Sequence, residues 1–115
     1  MKCSDLLYQD ARTLHGITAR AISFDLPAYP AQASRPSCLP MGPIGAALTG
    51  SHIYNALDAI GLDAAAHEFQ DKCNGHTQER GQYLYHFASD CMEVVGKRSD
   101  DHSGLVGYAL DGFDI

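Results

Sequence analysis

The sequence predicts a mainly β fold with a minor α component: a compact, β-sandwich-like domain of short Gly-rich hairpins carrying two short helices. Three observations predict it. A glycine-rich hairpin pattern occurs twice, apolar residues alternate in short strand-like runs, and helix formers gather in only two brief stretches. At 115 residues the chain supports one modest core.

In chain order, Ser4 can cap a helix over residues 5–15, "DLLYQDARTLH", ended by Gly16. Residues 1–19 are therefore read as an N-terminal helical segment and 20–115 as the domain proper. In "ARAISFDLP", Ile22, Phe24 and Leu26 alternate with Ala21, Ser23 and Asp25, as in a half-buried strand. All five prolines fall within residues 27–43, which read as an extended surface connection.

"GPIGAALTGSHI" (42–53) aligns without gaps on "GLVGYALDGFDI" (104–115). Gly42, Gly45, Ala47, Leu48, Gly50 and Ile53 are matched by Gly104, Gly107, Ala109, Leu110, Gly112 and Ile115. Each copy reads as a strand, a tight turn at Thr49-Gly50 or Asp111-Gly112, and a returning strand, because glycine accepts positive φ at the turn. Between the copies, "LDAAAHEFQD" predicts the second helix, "QYLYHF" a strand and "CMEVVG" another, with "KRSDDHSG" as a hydrophilic loop.

Net charge is −6, from 8 basic and 14 acidic residues, with no Lys/Arg cluster. Nucleic acid is therefore not an expected partner. No apolar run approaches the ~20 residues of a membrane helix, and "MKCSDLLYQD" has no signal-peptide core. Either the chain stays in the cytoplasm or a leader is absent from it.

Four cysteines admit three connectivities. Cys73–Cys91 with Cys3–Cys38 closes two local loops that do not cross; buried free thiols are the plainer alternative.

"LPMGPIGAALTGSHIYN", "DKCNGH" followed by "GQYLYHF", and "HSGLVGYALDGFDI" together resemble the YHYH domain family over about residues 20–115. The resemblance implies an exported protein, extracellular or periplasmic, and so favours disulfides. The function of the family is poorly established. Two departures stand out: the name-giving Tyr-His-Tyr-His is here Tyr83-Leu84-Tyr85-His86, and family members continue past the "DGFDI" segment.

Along a strand, residues 84 and 86 share one face and Tyr83 and Tyr85 the other. Leu84 removes one imidazole from the face that carries His86. A centre can still be assembled from His76, His86 and His102 with a carboxylate from Asp71 or Asp111. Imidazoles suit copper or zinc. The plainer alternative is that these histidines bond backbone carbonyls and pack on the tyrosines. Asp100, Asp101, Asp111 and Asp114 invite calcium, but their spacing matches no calcium loop, so calcium ranks lower. With no Gly-x-Ser-x-Gly elbow and no phosphate loop, no catalytic residue is assigned. The leading expectation is a metal-binding extracellular module; the alternative is a structural domain that self-assembles into a homo-oligomer through its C-terminal strand edge.

Overall fold

The computed structural model describes residues 16–96, 99–100 and 102–115. The helix expected over 5–15, and with it Cys3, His15 and Asp101, lies outside them. Within them the protein is mainly β, as expected. Five strands run β1 Pro43–Ala47, β2 His52–Tyr54, β3 Gly75–Thr77, β4 Tyr83–Tyr85 and β5 Gly107–Ala109. They form a single mixed sheet in the order β3-β4-β2-β1-β5, not two facing sheets. All its pairs are antiparallel except β2 with β4.

The two copies of the repeat pair with each other. β1 and β5 run antiparallel with Ala46 opposite Tyr108, the residue equivalent to it in the repeat. A local two-fold therefore passes through this pair, and the hydrogen bonds obey it. Leu48 N–H donates to the Val106 carbonyl at 2.9 Å, and Leu110 N–H to the Ile44 carbonyl at 2.9 Å. Each turn is closed alike: Ala47 N–H to Ser51 and Ala109 N–H to Phe113, both at 2.8 Å.

The conserved spacing of glycines within the two copies follows from this packing. A Cβ on Gly45 would stand 2.7 Å from the Tyr108 carbonyl oxygen, and one on Gly107 would stand 2.2 Å from that of Ala46. Gly50 and Gly112 occupy the turns at φ of 85° and 91°, which side chains resist. Past its turn, the second copy returns along the outer side of β5, with Asp114 bridging Tyr108 and Ile115 N–H donating to Gly107.

Other elements are shorter than the sequence suggests. α1, Ala64–His67, is a single turn capped by Asp63, whose Oδ1 accepts from Ala65 N–H at 3.0 Å. It stops because Glu68 turns to extended backbone (φ −91°, ψ 149°). The segment 19–27 joins no ladder; only Phe24 and Leu26 of its apolar residues are partly covered, and Ile22 is exposed. "CMEVVG" contributes one bridge, Val95 to Leu105.

The sheet's two faces differ at β3 and β4. One packs Tyr83 and Tyr85 against Cys73, Cys91, Ile17 and Met92. The other carries the row His52–Leu84–His76, set by the cross-strand register.

Candidate metal centre

Cys73 and Cys91 form a disulfide with their Cα atoms 5.4 Å apart, and the loop it closes carries β3 and β4. Cys38, paired with Cys3 in the expected connectivity, is instead a free, exposed thiol. The β3–β4 connection is tight, with Gln78 N–H bonded to the Gln82 carbonyl and Gly81 N–H to that of Gln78. It places His76, in the middle of β3, opposite Leu84, and His86 directly beyond the end of β4 on the same face.

The third member, Glu68, directly follows α1. Because the helix ends in an extended residue, the Glu68 side chain reaches back to the two histidines. Its Oε2 lies 2.5 Å from Nε2 of His76 and 3.3 Å from Nε2 of His86. Glu68, His76 and His86 each offer one donor atom, all within 4.8 Å of one another. The imidazoles stack with centroids 5.3 Å apart and planes inclined by 12°. His86 lies deepest, with 4% of its side chain exposed, against 17% for His76 and 25% for Glu68.

The backbone fixes the tautomers. Nδ1 of His86 is 2.6 Å from the Asn55 carbonyl, and Nδ1 of His76 is 3.3 Å from that of Thr77. A carbonyl only accepts, so both Nδ1 atoms carry the hydrogen. In the neutral rings, both Nε2 atoms are then unprotonated, and both lie within 3.3 Å of Glu68 Oε2. Asn55 is itself anchored: its Nδ2 donates to the Pro40 carbonyl at 2.9 Å, and its Oδ1 accepts from Leu57 N–H at 3.0 Å. Tyr54 closes the inner side, its ring perpendicular to His86 at 5.8 Å.

Glu68 Oε2 and His76 Nε2 are buried and make no hydrogen bond, although they lie 2.5 Å apart. Their contact lacks hydrogen-bond geometry and is an ion pair only when His76 is protonated. Electron-rich atoms so placed need a cation between them, either a proton or a metal ion.

Of the residues that the sequence singles out, His76 and His86 stand together; the others stand apart. Asp71 is buried near Tyr83 and Cys73. Its carboxylate accepts from the Tyr83 hydroxyl at 2.8 Å and from Cys73 N–H at 2.8 Å, anchoring the start of the hairpin. Burial first, and then this anionic partner, push the Tyr83 hydroxyl far above its usual range. Asp111 sits in the exposed turn after β5, near Phe113 N–H. His102 is exposed, its N–H directed at Asp100. Among the described residues, the cluster includes none of Asp71, Asp100, His102, Asp111 or Asp114. Glu68 carries no mark in the sequence: in "AAAHEF" it reads as another exposed helix residue, and only the early end of α1 frees it.

A mainly β domain built on a paired glycine hairpin, with a His/His/Glu cluster beside a disulfide, is the class of protein that these features define. The family model described as YHYH protein matches residues 23–115, and the chain belongs to that family. No curated protein and no solved structure matches it.

Proposed function

We propose that this YHYH domain is an extracellular or periplasmic module that binds one transition-metal ion, zinc or copper, through Glu68, His76 and His86. The observation that carries the reading is that one donor atom each from Glu68, His76 and His86 lie within 4.8 Å of one another. Two imidazoles and a carboxylate suit zinc and copper. The Asn55 and Thr77 carbonyls hold the rings in the ligating tautomer, as carbonyls commonly do for metal-bound histidines. The disulfide fits an oxidising compartment. Among the described residues, no helix is long and apolar enough to cross a membrane.

Titration of chelator-treated protein with zinc or copper tests the proposal. The expected result is one ion per chain, with affinity lowered at least ~100-fold in His86→Ala and in Glu68→Gln, since loss of even an orienting partner costs roughly 10–100-fold. His102→Ala is expected to bind like the parent. Affinity that survives both ligand substitutions, or no binding, overturns the assignment.

A further inference from the structure

Leu84 lies beside this centre. It pairs across the sheet with His76 on one side and with His52 on the other, and its side chain shares their face. Only 2% of its surface is exposed. An imidazole there would stand one strand from His76, with Cβ atoms about 4.5–5.5 Å apart, and two residues from His86, about 6–7 Å along β4. It would be a fourth protein donor.

Among the described residues, no other donor on that face replaces it. His52 is two strands from His76, about 10 Å away, with Leu84 between them. The His52 ring is held edge-on by Phe24 at 5.2 Å and by Tyr54 at 6.4 Å. On its other side Glu68 and His76 keep 25% and 17% of their side-chain surface exposed, against 4% for His86, although Oε2 and Nε2 themselves are buried.

We infer that Leu84 limits the centre to three protein ligands and leaves a metal position for a small exogenous Lewis base: water, or a monodentate anion such as azide or thiocyanate. The inference rests on the metal-binding reading above. Closed four-ligand zinc sites are structural, whereas three-ligand sites keep a position for an outside molecule. By this criterion the site is a receptor for a small ligand rather than a staple for the fold.

Cobalt(II) distinguishes these cases, because its visible absorption reports changes in ligand number. The experiment titrates the intact chain, Leu84→His and Leu84→Met with Co(II), then adds azide. Parent protein and the near-isosteric Leu84→Met are expected to bind one Co(II) and to change spectrum saturably with azide. Leu84→His is expected to bind Co(II) at least ~10-fold more tightly and to lose the azide response. A parent protein that binds Co(II) but ignores azide overturns the open position while leaving the metal site standing. If Leu84→His does not fold, the parent and Leu84→Met responses still decide. Failure of the parent to bind Co(II) removes the metal reading and this inference together.

Discussion

The backbone carbonyl of Asn55 decides which nitrogen of His86 carries hydrogen, and so whether the ring offers a lone pair to the cluster. His52, on the same face, has a different role. It packs between Phe24 and Tyr54, and burial lowers its pKa below the ordinary imidazole value. The sign of its pH effect follows. A folded-state pKa below that of the unfolded chain means that unfolded protein binds the extra proton. The neutral ring's contribution is then fully present above the ordinary imidazole pKa and is lost as pH falls through the folded value. Thermal unfolding of metal-free protein should show a Tm that falls between about pH 7 and 5, with a shallower fall in His52→Gln. Equal slopes in the two proteins would contradict it. At this scale the sequence was partly legible. Strict alternation in a strand predicts that His86 and Leu84 share a face opposite Tyr83 and Tyr85, and the sheet register agrees. The role of Glu68 was not legible, because it depends on where a one-turn helix stops.

Elements of three to five residues cannot stand alone, so pairing carries the architecture. The repeat was visible as six identities, and close backbone approach at Gly45 and Gly107 or positive φ at Gly50 and Gly112 explains two of those positions. What sequence could not give was that the copies pair with each other about a local axis, since identity says nothing of contact. The predicted strand at 19–27 failed to form a ladder for a related reason: alternation shows which residues seek cover, not which partner supplies it. Gly45→Val and Gly107→Val should each cost about 1–3 kcal/mol through overpacking, lowering Tm by roughly 4–8 °C per kcal/mol for a domain near this size. Gly16→Ala, which meets nothing within 4 Å, should be nearly neutral. Similar Tm values for all three variants would contradict the paired-hairpin packing.

On the scale of the whole molecule, one sheet separates two tasks. The face with Cys73, Cys91, Tyr83 and Tyr85 holds the β3–β4 hairpin shut, and Asp71 is used there as an anchor. The opposite face presents His76 and His86 to Glu68. The disulfide was legible as a local loop closure; the single sheet was not, because alternating strands predict buried faces without saying how many layers bury them. Anomalous diffraction from crystals grown with zinc, recorded on both sides of the zinc absorption edge, examines the central claim most directly. One strong anomalous peak among Glu68 Oε2, His76 Nε2 and His86 Nε2 is the predicted result. Well-ordered side chains there with no such peak, or zinc bound only at other residues such as His102, would contradict it.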